Sequence, residues 1–223
     1  MKPASQIIEQ SGLSYFGAMT ASVSHEIKNC LAIVNENAGL LGDLLALSRQ
    51  QSSLDTSRMD NILVRISGQI QRADTVIKRL NAFSHSMDKP VQSVNLGEAV
   101  QLAADLGARI CANRRITIQT QQPEKAPHTT APMFFVLYLI WTLVDGATSE
   151  MPSGATLFVT PVEKQGRPGI SFSSTAPLGS GMEKAVVSGT GQNLLALVSA
   201  EVDIDPKSLH AELFFPAMNP ATV

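Results

Sequence analysis

Charge is scarce in this chain, and cysteine is scarcer. Asp, Glu, Lys and Arg make up 16% of 223 residues, and the formal net charge is -2. A nucleic-acid footprint needs a strongly basic face, so nucleic acid is not an expected partner. The charge is +1 over residues 1–90 and -3 over residues 91–223, which leaves no acidic or basic tail. Cys30 and Cys111 stand far apart and in no C-x-x-C pair, so neither a disulfide framework nor a zinc site is expected, and a reducing compartment fits. His85, His128 and His210 have no ligand partners at metal spacing, and no metal is expected. The longest apolar run, Met133 to Val144, falls short of the ~20 residues of a spanning helix. The opening MKPASQIIEQSG has no apolar h-region. No membrane contact and a cytoplasmic location are therefore expected. No internal repeat and no low-complexity segment is visible. What is abundant is apolar residues, 44% of the chain, enough to bury a core.

Residues 1–90 read as two long helices. In the first, Phe16, Val23, Ile27, Val34, Ala38, Leu41 and Leu45 recur at near-heptad spacing. Gln50-Gln51-Ser52-Ser53 is a polar break. Ile62, Ile66, Ile70, Ala73, Ile77 and Leu80 give the second helix its stripe, and Pro90 is expected to end it. Two helices bury one seam poorly, so an antiparallel hairpin that pairs with a second copy into a dimeric four-helix bundle is expected. Residues 91–223 change character. Asn95 with Glu98 marks a helix start running to about Cys111. Ile116 to Ile118 reads as a strand, and Pro132 suits the opening of an all-round apolar helix from Met133 to about Glu150. Thr156 to Thr160, Ile170 to Ser173 and Leu209 to Phe215 read as strands, and Gly191 to Glu201 as a last helix. The fold class expected is α + α/β: a helical hairpin over 1–90 and an α/β sandwich over 91–223.

Ser24-His25-Glu26-Ile27-Lys28-Asn29 is the stretch richest in chemistry. His25 lies two residues from both Val23 and Ile27. At ~100° per residue it points away from the seam, towards water. Asn29 is one turn on, on the same stripe. An exposed imidazole becomes a nucleophile when a neighbour accepts one ring N–H and leaves the other nitrogen its lone pair. Glu26 suits that accepting role, and Asn29 could orient a water molecule or substrate. The same residue types also occur on any solvated helix face, and the spacing alone leaves both readings open. Lys28, Arg65, Arg72, Lys78 and Arg79 read as a mixed, solvated face, on which Lys28 could meet an acidic partner. Phe134, Phe135, Tyr138 and Trp141 read as core.

Phe16-Gly17-Ala18-Met19 followed by Ser24 to Asn29 resembles the H-box of bacterial sensor histidine kinases. There the phosphoryl-accepting His is followed by an acidic residue and, four positions on, by Asn or Thr. The resemblance implies that His25 is the phosphoryl acceptor, with Glu26 and Asn29 as its catalytic neighbours. Cys30 stands where the family often has Pro, so the helix kink after the motif is expected to be missing. The order of elements after residue 91 resembles that family's ATP-binding domain. Leu139 to Ala147 looks like its N-box helix, but the two asparagines fall on Thr142 and Gly146, and the second normally ligates Mg²⁺. The position of the adenine-binding Asp is Ser174, whose neutral hydroxyl is a weaker partner for an amino group. Gly189-Thr190-Gly191 resembles the last glycine-rich box, although such a triplet also simply opens helices. The stretch left for an ATP lid is short. The resemblance thus implies a degenerate nucleotide domain, with no cofactor bound by this chain.

These readings lead to an expected two-component or phosphorelay protein, acting through His25 as a histidine phosphotransferase or response-regulator phosphatase without its own ATP-dependent kinase activity. Its expected partners are a second copy and a response-regulator receiver domain that carries its own Mg²⁺. The alternatives are a non-catalytic pseudo-kinase that dimerises and inhibits a kinase or receiver, and a divergent active kinase. No sensor, anchor or receiver segment is visible in the sequence, so signal input is expected through a partner.

Overall fold

The computed structural model describes residues 4–51, 55–204 and 209–216. Two long helices come first, α1 (Ala4–Gln51) and α2 (Thr56–His85). Part of the expected polar break, Ser52-Ser53, lies outside the described residues. Pro90 is not what stops α2. The helix ends at His85 because the Ser86 N–H and hydroxyl both turn back to the Phe83 carbonyl, while the N–H groups of Met87 and Asp88 bond to Ser84 and His85. These three-residue returns wind the end into a tight turn.

The rest alternates strands and helices: β1 (Gln92–Asn95), α3 (Leu96–Asn113), β2 (Thr117–Thr120), β3 (His128–Ala131), α4 (Met133–Glu150), β4 (Thr156–Lys164), β5 (Arg167–Ser174), α5 (Gly179–Val187), α6 (Gly189–Leu197), β6 (Glu201–Ile204) and β7 (His210–Phe214). Asn95 caps α3 as expected, its side chain accepting from the N–H of Gly97 at 2.8 Å and of Glu98 at 3.2 Å. Pro132 stands just ahead of α4. One sheet has the order β2-β4-β5-β7-β6, with β2 and β4 parallel and the other pairs antiparallel. The β4–β5 hairpin closes from Lys164 to Arg167 through Gln165 and Gly166, both at positive φ (53° and 73°), the geometry that matches strand twist. A second, two-stranded sheet pairs β1 with β3.

Strands β1, β3 and β6 and helix α5 are additions to the sequence expectation, and the last helix ends at Leu197 rather than near Glu201. Ser199 at φ 52° and the Ala200 N–H returning to the Leu195 carbonyl close α6 and release the chain into β6.

Packing divides the chain into two units, Thr20–Ala82 and a second one that joins the first turns of α1, through Met19, to everything from Phe83 onward. This division differs from the sequence boundary at residue 90. Within the second unit an aromatic cluster is responsible: Tyr15 stacks on Tyr138 at 4.5 Å and meets Phe83 edge-on at 5.4 Å, and Phe16 stacks on Phe83. Helix α4 forms the centre of that unit. Val136, Leu137, Leu139, Ile140 and Leu143 are buried completely or nearly so, and each contributes ~1.5–3 kcal/mol of hydrophobic stabilisation. Gly107 of α3 admits the Trp141 ring, whose Cε3 would lie 2.6 Å from a Cβ at that position.

By length and composition two helices among the described residues, Ile8–Arg49 and Met133–Glu150, are long and apolar enough to cross a membrane. The most apolar window of the second is 56% buried inside the fold, as in a globular core helix, against 11% for the first. The first therefore presents an uncovered apolar surface.

Candidate functional site

The unit Thr20–Ala82 carries His25, Glu26 and Asn29. Its helices meet along Val23, Cys30 and Asn37 of α1 and Ile62 and Val76 of α2, all buried, with Ile27, Val34, Ile66 and Ala73 half-buried beside them. The expected apolar stripe is in fact two faces. One lies between the helices. The other consists of residues that each follow an inner position by one: Leu31, Ala38 and Leu45 on α1 and Leu63, Ile70 and Ile77 on α2, all exposed. One residue is a turn of ~100° in the same sense on both helices, and because the helices run antiparallel, both sets come to the same side of the hairpin.

The Glu26 carboxylate marks the opposite side. It accepts from Arg72 Nη2 at 2.9 Å, across the two helices. His25 and Asn29 are exposed on the outer surface of α1, as their spacing predicts, and Lys28 is exposed with them. The structure therefore places the three candidate residues together on one stretch of α1, but it joins Glu26 to Arg72 rather than to the imidazole. Sequence reading assigned Arg72 to a solvated face. It lies 46 residues from Glu26, and no local pattern pairs them. The bond to Glu26 raises the Arg72 guanidinium above its ordinary value; partial burial opposes this, and Coulomb attraction to Glu26 adds to it.

The N-box-like positions lie in the other unit. Thr142 and Gly146 of α4 line a cavity of about 630 Å³ that also touches Tyr15, Tyr138, Trp141 and Lys184. The Thr142 hydroxyl is committed to the Tyr138 carbonyl at 2.8 Å. Gly146 lies against α5. A Cβ there would stand 2.7 Å from the Gly181 carbonyl oxygen and 2.9 Å from Ala185 Cβ. The position that would need a metal-binding side chain is thus the position at which α5 packs directly onto α4. Lys184 of α5 holds Glu150 of α4 at 2.7 Å, and Ser180 adds a bond at 3.0 Å, which together keep the Glu150 carboxyl below its usual range. At the C-terminal end of α3, Arg114 binds Asp145 Oδ1 and Thr148 Oγ1 of α4, both at 2.8 Å.

Ser174 ends β5, buried, with its hydroxyl turned to the Ala176 carbonyl and not among the residues of that cavity. Gly189-Thr190-Gly191 opens α6. Ser188 caps it by accepting the Gly191 N–H at 3.0 Å, and Gly191 lies so close to the Ala185 carbonyl that no side chain fits. The triplet serves helix packing here. Among the described residues no cluster of three or more His, Cys, Asp or Glu could hold a metal ion. Cys30 and Cys111 are buried free thiols, and burial pushes Cys111 up.

No family model matches the chain, and no curated protein matches it. Among solved structures it is similar to the cytoplasmic segment of the histidine kinase QseC, at 17% identity over 67% of this chain and 95% of that one, TM-score 0.45. It is similar also to the Acinetobacter baumannii histidine kinase AdeS, at 9% identity over 87% and 98%, TM-score 0.48. A third similar structure is the histidine kinase ThkA in complex with the response regulator protein TrrA, at 15% identity over 94% of this chain and 64% of that one, TM-score 0.46.

Proposed function

We propose that this chain is a dimeric two-component signalling protein that exchanges a phosphoryl group between His25 and the aspartate of a response-regulator receiver domain, with no ATP-dependent kinase activity of its own. The observation that carries the reading is the pairing of an H-box sequence whose His25 is exposed on α1 with a nucleotide-like unit in which α5 packs onto Gly146.

The chemistry asked of the chain is small. A receiver brings its own aspartyl phosphate and Mg²⁺. One ring nitrogen of His25 attacks phosphorus in line, the bond from phosphorus to the aspartyl oxygen breaks, and the carboxylate leaves. Glu26 takes the N–H of the other ring nitrogen and so keeps the attacking lone pair available. Asn29, neutral and one turn away, orients water when the phosphoryl group is instead lost to hydrolysis. Mg-ATP does not fit the other unit, for three reasons. Gly146 offers no ligand, a side chain at that position would collide with α5, and the hydroxyls of Thr142 and Ser174 are committed to carbonyls. Without a held metal and adenine, the positioning that transfer from ATP requires is missing.

The dimer rests on the outer face of Leu31, Ala38, Leu45, Leu63, Ile70 and Ile77. It lies on the side away from Glu26 and Arg72, so a second copy seated there leaves the H-box open to a receiver.

The test incubates the full chain with radiolabelled phospho-receiver domains. Label is expected on the wild type and not on His25→Ala, which should keep its fold because an exposed side chain contributes little to stability. Asn29→Ala should accept label and lose it to water more slowly. Calorimetry with millimolar Mg-ATP should show no saturable heat. Equal labelling of His25→Ala would sink the phosphotransfer reading in favour of a non-catalytic regulator, and labelling of His25 from ATP alone would establish a divergent kinase.

A further inference from the structure

Resting on that reading, the geometry points to a counter-ion exchange: Arg72 holds Glu26 away from His25 in the free protein, and an arriving phosphoryl group takes Arg72 over and releases Glu26 to the imidazole. Glu26 follows His25 in the chain and is the carboxylate suited to fix the ring, yet its bond runs across to Arg72 at 2.9 Å. Only one guanidinium nitrogen, Nη2, makes that contact, so most of the five N–H donors of Arg72 are left over from it. The Arg72 side chain is 60% exposed and Glu26 24% exposed, so the pair sits where a docking partner can reach the cation first. The two residues belong to different helices, and a partner that lies across α1 and α2 meets both.

The relative strengths favour exchange. An exposed one-point ion pair is screened by water and is easily broken. A guanidinium facing a phosphoryl group can form two parallel, charge-assisted bonds, which are shorter and stronger. The phosphoryl oxygens therefore outcompete a single carboxylate oxygen for Arg72. Once released, Glu26 has no cation across the seam and accepts the N–H of the neighbouring imidazole. No bond is made or broken covalently in this step, and no proton changes owner. The transfer that follows moves the phosphoryl group from its donor to a ring nitrogen, as above. The device would ready His25 for attack only when a phosphoryl group is present, and leave it idle against an unphosphorylated partner.

The experiment needs no knowledge of the natural receiver. Phosphoramidate serves as a small donor: the P–N bond to its amine breaks, ammonia leaves, and an N–P bond to His25 forms. Full-length wild type, Arg72→Gln, Arg72→Lys and His25→Ala are compared, with circular dichroism and light scattering confirming fold and assembly. Two quantities are read, the rate of phosphohistidine formation and the ¹⁵N spectrum of the His25 ring, assigned by difference from His25→Ala. Wild type should be phosphorylated at His25. Its ring, an exchanging pair of tautomers when free, should settle into one tautomer as inorganic phosphate is added. Arg72→Gln should show the single tautomer without phosphate and accept phosphoryl at least tenfold more slowly, and Arg72→Lys should recover part of the rate. Equal rates for Arg72→Gln and wild type, with unchanged ring spectra, would overturn the exchange. A wild type that takes no phosphoryl group while its ring responds to phosphate as described would instead refute the phosphotransfer reading and leave the exchange standing.

Discussion

Replacing Gly146 by alanine tests the contact between α4 and α5. In a helix interior, Gly→Ala normally stabilises by ~0.5–1 kcal/mol through backbone entropy. At Gly146 the new Cβ would lie 2.7 Å from the Gly181 carbonyl oxygen and 2.9 Å from Ala185 Cβ, both in α5 and neither the movable end of a flexible side chain. Overpacking of this kind costs ~1–3 kcal/mol, so the net effect should be a loss of up to ~2.5 kcal/mol. In a unit of this size each 1 kcal/mol moves Tm by ~2–4 °C, and Gly146→Ala should melt a few degrees below wild type. Gly181→Ala meets the Gly146 carbonyl still more closely and should fall further. Gly39 and Gly68, also helical but with nothing within 4 Å of an added Cβ, provide the controls, and their alanine variants should melt at or above wild type. Differential scanning calorimetry reads all four. A Gly146→Ala protein as stable as the Gly68→Ala control would show that α5 does not rest on α4, and the steric case against a bound metal would go with it.

Two other outcomes follow from the same structure. Leu63→Asp and Ile70→Asp place a charge on the outer face of the hairpin and should each shift light scattering from the proposed dimer towards monomer at micromolar concentration, and wild type that is already monomeric would refute that proposal. Glu212 is raised by burial but lowered further by its bonds to Lys164 and His210, so its folded value ends below the ordinary 4.5. A depressed carboxyl contributes stability that is present above its unfolded pKa and is lost as pH falls through the folded value. Tm should therefore drop less steeply below about pH 4.5 in Glu212→Gln than in wild type, and parallel curves would show that the pair contributes nothing.

Local signals in the sequence carried the helices. Asn95 as a cap, Pro132 ahead of α4 and the exposure of His25 are all consequences of a few neighbouring residues, and the structure has them where the spacing puts them. The apolar stripes were legible only as helical period, since Ala38, Leu45, Ile70 and Ile77 turn out exposed while their stripe neighbours are covered. The longer strands β4, β5 and β7 were legible for the same reason, as apolar alternation between glycines and prolines. Strands β1 and β3 were not: each has four residues and little apolar pattern, and each becomes a strand only because the other lies beside it. The sequence also showed that Gly146 lacks a metal-binding side chain. That Gly181 and Ala185 stand opposite it, so that no such side chain could return without moving α5, is a fact of helix packing. The site divides in the same way. His25, Glu26 and Asn29 share one helix and are bound to one another by its period, whereas Arg72 reaches Glu26 from another helix. Pairings over such separations depend on how helices cross and turn, so only the tertiary structure decides which cation a given carboxylate meets.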